Sequence, residues 1–488
     1  MNTLLKEIYD TDKATLQEWS EHLMIGGGTR GMPALRSGKG VRVYDIDGKP
    51  YIDCTSQSWA MYLGYANTEI NSTLCDHLES MSHVHQGFDT PVRYYLARLV
   101  SQIAPGDLNR VSFTVGGGPA VEAAMKICVK NTDCSRDFIC LYDSYHGTTL
   151  GSMGASWIST MSAGKLVGGS RFLNLTRPFV RVPNPNCYRC PLGLNRADCG
   201  IACAKMLEMT LQKGVAGNAA GLIVEPVQGS GGQIILPVDY VKEVRRICTE
   251  YGVPLVFDEI QTYCRIGEFF AAQYFGVDPD IIVVGKGFGA GLPIAAIIIS
   301  DKLKGFECDG EELHTFANNS LAQVAAIKQI KMMQEWVLEN TRNMGEHIRR
   351  GLETLQQEYP EIGDIRQAGL HIGVELVKDP DTKEPAVDTA DAVRAHCQAN
   401  GLILGKGGPC SQVLKIKPPL IVSREECDEV LGIFGDALKA AIRDSSTKTR
   451  RGALPSAPLP AASEDEHGAC HFDRREKSGG KGDGSNVA

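Results

Sequence analysis

Short apolar runs alternate with amphipathic segments from about residue 90 to 325. Runs rich in Val, Ile, Leu and Phe predict six strands: Arg110–Val115, Asp137–Tyr142, Gly221–Glu225, Pro254–Asp258, Asp280–Gly285 and Ile294–Ser300. Between them, apolar residues recur at helical spacing, as in Ala120–Lys130 and Val238–Tyr251. Strands that alternate with helices favour an α/β fold, in which helices cover both faces of a mostly parallel sheet.

The pattern changes on both sides of this region. Residues 1–40 predict a helix and a glycine-rich loop, and Val41–Thr55 alternates apolar and polar positions around Asp47-Gly48, which is typical of a tight hairpin. After a long predicted helix at Leu321–Tyr359, shorter strands and helices predict a compact α+β unit. We therefore expect an N-terminal segment 1–60 that packs with the small domain, a large domain 61–325 and a small C-terminal domain 326–443. Residues 444–488 are rich in Ser, Pro and Gly without periodicity and are predicted to be disordered.

Composition narrows the class of function. The chain of 488 residues has 43% hydrophobic and 22% charged residues and a formal net charge of -8, so nothing favours nucleic acid or an anionic membrane as a partner. Its first twenty residues are charged throughout, unlike a secretory signal. No apolar run reaches the ~18 residues of a membrane span. We expect a cytoplasmic protein that acts on small molecules.

Most of the sixteen cysteines are scattered singly, as is typical of reduced thiols in an apolar core. Four of them lie in an insertion, residues 178–203, that is rich in Pro and Cys and is predicted to be irregular, and these are Cys187, Cys190, Cys199 and Cys203. A C-x2-C pair followed by a C-x3-C pair has the spacing of a structural zinc site. Because the same spacing occurs by chance and in redox pairs, zinc and unligated thiols are the two alternatives.

A glycine triplet, Gly116–Gly118, separates a predicted strand from a predicted helix that has Pro119 in its first turn. Such a turn presents backbone N–H groups and the positive helix end to an anion, usually a phosphate, although many glycine turns bind nothing. The segment is not a GxGxxG, and no acid ends the next strand. A nicotinamide-binding Rossmann unit is therefore disfavoured.

Reactive side chains follow three later strands. Tyr145 comes after the strand Asp137–Tyr142 and either stacks on a planar ring or packs as an ordinary aromatic. Asp258 ends one strand, and Lys286 follows another within a glycine-rich turn. A lysine and a carboxylate at one sheet edge suggest an aldehyde cofactor held as a Schiff base.

Six motifs occur here in the order and approximate spacing of the class III (omega-type) aminotransferases, which the chain resembles over about residues 30–440. They are Tyr145-His146-Gly147, Glu225–Gly229 (EPVQG), Asp258–Thr262 (DEIQT), Gly285-Lys286-Gly287, Thr315-Phe316 with Asn319, and Pro418-Pro419-Leu420. Members of that family are pyridoxal-phosphate enzymes of fold type I. The resemblance implies a large domain with a mostly parallel sheet flanked by helices, and a smaller α+β C-terminal domain.

The resemblance also implies how the ring of pyridoxal phosphate is held. Lys286 would form the Schiff base and then serve as the base that moves the substrate proton. Asp258 would pair with the pyridine nitrogen, Gln261 would hydrogen-bond the ring oxygen, and Tyr145 would stack on the ring.

The resemblance also implies which residues bind the phosphate group and that one of them comes from a neighbouring subunit. The amides of Gly117 and Gly118 would hold the phosphate, and Thr315 would reach it from a neighbouring subunit. A homodimer with shared active sites follows from that role. The family's turn commonly reads Ser-Gly-Ser/Thr-Glu-Ala, so Gly116–Ala120 (GGGPA) lacks a hydroxyl contact to the phosphate.

The substrate side departs from the family pattern. Many members that use 2-oxoglutarate carry an arginine where this chain has Lys415 and a gating glutamate where it has Ser230. An ammonium is a point charge and cannot grip a carboxylate with two parallel bonds as a guanidinium does. We predict that Lys415 and Trp59 line the substrate pocket.

Transamination from a small amino compound to an oxo acid is the favoured function. The segment VLKIKPP resembles ethanolamine-phosphate and phosphohydroxylysine phospho-lyases, so a lyase that eliminates ammonia or phosphate is an alternative. The segments SGGQIILP and LVKDPDTKEPA resemble dialkylglycine decarboxylase, a decarboxylating transaminase. A non-catalytic relative would predict a damaged lysine or acid, whereas Lys286 and Asp258 are both intact.

Overall fold

A computed structural model describes residues 2–24, 31–133, 136–162, 165–166 and 168–451. Residues Met1–Arg443 form one compact unit, which contains two seven-stranded sheets. The first sheet carries the predicted cofactor residues.

The first sheet confirms the expected α/β class. The order of its strands is Leu108–Thr114, Ala295–Ser300, Ile281–Val284, Leu255–Asp258, Ala219–Val224, Asp137–Leu141 and Phe179–Val182. Ala295–Ser300 is antiparallel to both neighbours, and the other neighbouring pairs are parallel. All six predicted strands are present. The expectation of an irregular segment from residue 178 is wrong at Phe179–Val182, which forms an edge strand.

Successive residues of the central strands enter different cores. Leu255 and Phe257 pack in one apolar cluster, whereas Val256 packs in the other, and each is fully buried. Ile281 and Ile282 divide in the same way. Because side chains alternate between the two faces of a strand, a continuous apolar run requires cover on both faces. Helices supply that cover.

The second sheet joins the two ends of the chain. Its order is Leu35–Lys39, Arg42–Asp45, Pro50–Cys54, Leu402–Gly407, Val413–Ile416, His371–Leu376 and Ile362–Ala368. The predicted hairpin is present, since Val43 pairs with Tyr51 and Gly48 has a φ of +82° between them. Pro50–Cys54 then runs parallel to Leu402–Gly407.

The longer helices agree closely with the sequence pattern. They are Thr3–Tyr9, Lys13–Ser20, Thr68–Leu78, Pro91–Ile103, Gly117–Lys130, Ala202–Lys213, Val238–Glu250, Ser320–Met332, Leu338–Glu358, Val387–Ala399 and Arg424–Arg451. A π-helical turn, Met333–Val337, interrupts the single helix predicted at Leu321–Tyr359. The last helix continues past the predicted start of the tail at residue 444, and residues 452–488 lie outside the described chain. No helix in the described ranges is long and apolar enough to cross a membrane.

Candidate active site

A cavity of about 220 Å³ lies beyond the carboxyl ends of the first sheet's parallel strands. It is smaller than a typical drug-sized site of roughly 300–1,000 Å³, so it suits one small ligand. Eleven residues line it: Gly117, Gly118, Tyr145, His146, Gly147, Thr148, Thr149, Asp258, Ile260, Gln261 and Lys286. The fold thus brings together every residue predicted to contact the cofactor except Thr315, which is not among those that line the cavity within this single chain.

Asp258 is fixed by two hydrogen bonds. Its Oδ2 lies 2.7 Å from Nδ1 of His146, and its Oδ1 accepts a bond from the Ile260 amide at 3.1 Å. Burial disfavours the charged imidazole, but the hydrogen bond and the negative charge of Asp258 outweigh it and raise the pKa of His146. The carboxylate is thereby held in one orientation at the end of its strand.

Glu225 connects two turns beneath the cavity. It accepts hydrogen bonds from the amide of Tyr145 at 2.8 Å and from the amide of Gly229 at 3.1 Å. Burial raises the pKa of this carboxyl to about 7, and the nearby charge of Asp258 adds to the rise. The sequence placed Glu225 at this sheet edge, but it did not reveal this positioning role.

The glycine turn is closely enclosed at its second and third positions, Gly117 and Gly118. A Cβ at Gly117 would lie 2.9 Å from Cδ1 of Ile260, and one at Gly118 would lie 2.8 Å from Cγ2 of Thr149. Gly116 precedes the helix Gly117–Lys130 and offers no capping side chain, so the first-turn amides are available to a ligand. Thr149 also lines the cavity. It carries a hydroxyl of the kind that the glycine turn lacks.

Gly229 makes room for Gln261. A Cβ at Gly229 would overlap Oε1 of Gln261. Among the described residues, that buried oxygen has no hydrogen-bond partner, and neither has Nε2 of His146. An unpaired buried polar atom costs about 1–3 kcal/mol. A polar ligand in the cavity would relieve that cost.

We expect Gly229→Ala to weaken cofactor binding about tenfold or more, since displacing Gln261 removes one hydrogen bond of roughly 1.5 kcal/mol. Titration of the apoprotein with pyridoxal phosphate measures the Kd. Gly432→Ala is the matched control, because a Cβ at Gly432 meets no atom within 4 Å. Equal affinity of the two variants would show that Gln261 does not contact the ligand.

Lys286 is partly buried and has an unusual backbone conformation. Its φ of +49° lies in the left-handed region, which non-glycine residues adopt mainly where the surrounding structure imposes it, often at functional sites. Burial lowers the pKa of its amine to about 8, and the charges of Asp258 and Glu225 oppose that shift. A useful fraction of the amine is therefore neutral near pH 8.

This pKa predicts a steep pH dependence for the attachment of pyridoxal phosphate to the apoprotein. Only the neutral amine attacks an aldehyde, and with a pKa of about 8 its fraction rises about tenfold from pH 7 to pH 9. The second-order rate constant, followed by absorbance, should rise by that factor and level off near pH 9. A rate that keeps rising by about tenfold per pH unit above pH 9 would indicate an ordinary lysine.

Trp59 lies among three lysines. Its ring centroid is 4.8 Å from Nζ of Lys286, 5.5 Å from Nζ of Lys415 and 3.0 Å from Nζ of Lys417. Residues Ser56–Trp59 all have positive φ, a left-handed turn that costs roughly 1–2 kcal/mol per residue. The predicted substrate residues Trp59 and Lys415 therefore lie next to Lys286.

Lys417 was missed by sequence reasoning. It stands two residues after Lys415, and a period of two places both side chains on one face of an extended segment. Burial lowers the pKa of Lys415 to about 8, and burial together with the neighbouring cations lowers the pKa of Lys417 well below its ordinary value. A Cβ at Gly407 would overlap the end of the Lys415 side chain, so glycine is needed there.

The predicted zinc site is not supported. In the described part of the chain, no group of three or more His, Cys, Asp or Glu side chains is arranged to hold a metal ion. Cys187, Cys190, Cys199 and Cys203 line one small cavity as free thiols. C-x2-C spacing brings cysteines near each other, but tetrahedral ligation also requires their sulfurs to converge.

Known proteins are similar in sequence to this chain over most of its length. A leucine/methionine racemase of Thermococcus litoralis is 33% identical over 413 residues, which cover 83% of this chain and 89% of the racemase. A diaminobutyrate–2-oxoglutarate aminotransferase of Rhizobium meliloti is 32% identical over 424 residues, which cover 83% of this chain and 88% of that enzyme.

A solved structure and a family model agree with this similarity. The crystal structure of a Bacillus anthracis aminotransferase superposes with a TM-score of 0.78 and 28% identity, covering 90% of this chain and all of that one. The model of the family described as aminotransferase class-III matches residues 29–438. The chain therefore belongs to the class III aminotransferases, pyridoxal-phosphate enzymes of fold type I.

Proposed function

We propose that this enzyme binds pyridoxal phosphate in the 220 Å³ cavity and transfers the amino group of a small amino compound to an oxo acid, with Lys286 as the catalytic residue. One observation supports this most strongly. A partly buried lysine with a pKa near 8, an oriented carboxylate and a glycine turn without side chains line the same cavity. Each matches a different part of the cofactor: its aldehyde, its ring nitrogen and its phosphate.

The cavity fits this group chemically. The amides of Gly117 and Gly118, with the hydroxyl of Thr149, would hold the phosphate. Asp258 would pair with the ring nitrogen, and Gln261 would contact the ring oxygen. That contact would give the side-chain amide of Gln261, whose oxygen is otherwise unpaired, a hydrogen-bond partner. When bound, pyridoxal phosphate supplies an electron-withdrawing ring that makes the amine-bearing carbon of the substrate acidic.

The role of the protein's own side chains is then to move one proton of the substrate. Lys286 takes it from the amine-bearing carbon and returns it elsewhere on the reacting group, for which its amine must be neutral. Trp59 lies beside the lysine and excludes water from this face. Asp258 keeps its orientation through His146, so its charge stays directed at the cavity.

On the substrate side, we infer that Lys415 binds a carboxylate or phosphate of the amino compound. Lys415, Lys417 and Lys286 all lie beside Trp59, and an anionic group bound there would favour the protonated, charged form of their amines. Many biological amino donors and oxo acids carry such a group.

Lys415→Met should raise KM for an amino acid about tenfold or more and leave KM for a neutral amine unchanged. A hydrogen bond to a charged group contributes about 1.5–3 kcal/mol, and methionine preserves the length of the side chain without the charge. Steady-state kinetics with an amino acid and the amine lacking its carboxylate make the comparison. An equal loss for both donors would remove Lys415 from the substrate site.

Racemisation is a second candidate because the Thermococcus litoralis relative is a racemase. A screen of amino donors, run with and without an oxo acid and analysed on a chiral column, separates the reactions. Transamination gives product only with the acceptor. A mirror-image amino acid formed without acceptor would establish racemisation, and ammonia or phosphate released without acceptor would establish a lyase.

A homodimer with shared sites is the oligomeric state that we propose. Thr315 is not among the residues that line the cavity of its own chain, and the neighbouring Leu313 and Phe316 are exposed apolar side chains that a partner would cover. Mixed dimers of Lys286→Ala and Thr315→Ala chains test this arrangement. If Thr315 acts across the interface, each mixed dimer has one intact site, and activity exceeds that of either parent variant.

A further inference from the structure

Arg265 is among the largest side chains that the fold buries completely, and it has no part in the proposed proton transfer. It lies in the segment that follows the strand Leu255–Asp258. A buried guanidinium stays charged, so it needs hydrogen-bond acceptors to offset the loss of water. Arg265 is not among the residues that line the cofactor cavity, and its hydrogen bonds indicate what it holds instead.

The guanidinium of Arg265 joins three segments that are far apart in sequence. Nη1 donates to the carbonyl of Leu370 at 3.0 Å and to that of Pro418 at 2.9 Å, and Nη2 donates to Oγ of Ser56 at 3.1 Å. The amide of Leu370 in turn donates to the carbonyl of Arg265 at 3.0 Å. Leu370, Pro418 and Ser56 each lie within two residues of a different strand of the second sheet. One buried cation therefore fixes three parts of that sheet to the segment after Asp258.

Ser56 connects this attachment to Lys417 and Trp59. Its hydroxyl accepts the bond from Arg265 and donates to the carbonyl of Lys417 at 2.6 Å. The amide of Lys417 donates to the carbonyl of Cys54 at 2.9 Å. Ser56 is also the first residue of the left-handed turn that ends at Trp59. Because such a backbone is costly for residues other than glycine, it keeps its shape only where neighbouring groups hold it.

A second contact leads from Arg265 to the turn that carries Lys286. Cζ of Arg265 lies 4.7 Å from the ring centroid of the buried Tyr62. A Cβ at Gly287 would overlap that ring, so Tyr62 packs directly against the residue after Lys286. The ring centroid of Trp59 lies 4.8 Å from Nζ of Lys286. Arg265 therefore contacts the groups that support Trp59 and the group that supports Lys286.

We propose that Arg265 is a positioning residue, which fixes Trp59 and Lys417 at their distances from Lys286. This rests on the proposed function, since those distances affect a reaction only if an amino compound reacts at Lys286. A displacement of 1 Å in a positioned group can lower a rate by about 10²-fold. Loss of the hydrogen bonds of Arg265 should therefore disturb the orientation of a small reactant. The cofactor should stay bound, because the three described acceptors of those bonds do not line its cavity.

Hydrogen exchange of the full-length apoprotein, followed by mass spectrometry, tests the positioning without any reaction. In Arg265→Lys, which keeps the charge but loses the planar fork of donors, the amides of Trp59 and Lys417 should exchange about tenfold or more faster. Ser56→Ala should have the same effect at these two amides without changing a charge. Thr341→Val is the matched control, because it removes another buried hydroxyl, which donates to a helix carbonyl at 2.8 Å. It should leave both amides unchanged.

Reaction of the holoenzyme with aminooxyacetate tests the consequence for a small acidic reactant. This compound reacts with the Schiff base of pyridoxal phosphate, and the loss of visible absorbance measures the rate. In Arg265→Lys and Ser56→Ala, the second-order rate constant should fall about tenfold or more, whereas the Kd for pyridoxal phosphate should change by less than about twofold. A side chain that only stabilised the fold would change both quantities together or neither.

Unchanged exchange at Trp59 and Lys417 in the variants would overturn the proposal, and so would an increase of equal size in the strand Leu255–Asp258. An unchanged rate with aminooxyacetate would also overturn it. If Arg265→Lys does not fold, Ser56→Ala decides alone. If the wild-type holoenzyme neither holds pyridoxal phosphate nor reacts with aminooxyacetate, the proposed function fails, and the exchange measurement on the apoprotein still tests what Arg265 holds in place.

Discussion

Lys286→Ala is expected to abolish the visible absorbance of bound pyridoxal phosphate and to lower kcat for amino transfer by about 10²–10⁴-fold. The variant loses both the amine that attaches the cofactor and the base that moves the proton, and a positioned acid or base contributes about 10²–10⁴ to the rate. Absorbance spectra of the purified protein and single-turnover kinetics with an amino donor measure the two losses.

The controls separate chemistry from folding. Lys302→Ala removes an exposed lysine that pairs with Asp107, and it should leave spectrum and rate unchanged. The melting temperature of the apoprotein should not fall in Lys286→Ala, because the neutral alanine relieves the cost of a buried charge. A variant that keeps the wild-type spectrum and rate would show that another residue holds the cofactor.

Asp258→Asn is expected to lower kcat/KM by about 10²–10⁴-fold, the range that corresponds to the roughly 3–5 kcal/mol lost when one partner of a buried charge pair is removed. Asparagine has the same size but no charge to stabilise a protonated ring nitrogen. It also leaves His146 without the carboxylate that lies 2.7 Å from its Nδ1. Steady-state kinetics give the loss in rate.

A matched substitution at the surface shows whether charge alone matters. Asp309→Asn removes one exposed carboxylate and should change kcat/KM by less than about twofold. Cofactor should still bind to Asp258→Asn through the glycine turn, so its content can be measured separately from its activity. Full activity with bound cofactor in this variant would exclude a role for Asp258 at the ring nitrogen.

The fold was largely predictable because the central strands are apolar on both faces. A continuous apolar run differs from the helical spacing of apolar residues in the neighbouring helices. The ends of the six predicted strands agree with those of the first sheet within about two residues. Phe179–Val182 was missed because it is short and lies at the sheet edge, where only Phe179 and Val182 are buried and prolines follow. Edge strands have a weaker apolar pattern than central ones.

The candidate active site was predictable only where the type of a single residue and its place at the end of a strand indicate its chemistry. Lys286, Asp258 and the glycine turn each follow a strand, so the sheet itself places them together. The contact of His146 with Asp258 joins residues 112 positions apart, and no local pattern encodes it. Lys417 approaches Trp59 through the left-handed turn at Ser56–Trp59, which sequence periodicity did not indicate.

The zinc alternative lacks support for a related reason. Spacing along the chain showed that four cysteines would be near each other, and they do line one cavity. Ligation depends on where the sulfurs point, which is set by the turns between them. Cysteine spacing therefore indicated a cluster, and among the described residues the zinc alternative finds no support.

Borohydride reduction of the holoenzyme followed by peptide mapping is the most direct test of the central claim. Three lysines lie around Trp59, and among them Lys286 lines the cavity with Asp258, whereas Lys415 and Lys417 do not. We predict a single pyridoxyl-phosphate adduct on the peptide that contains Lys286, at about one per chain. An adduct on Lys415 or Lys417 in its place would contradict the account.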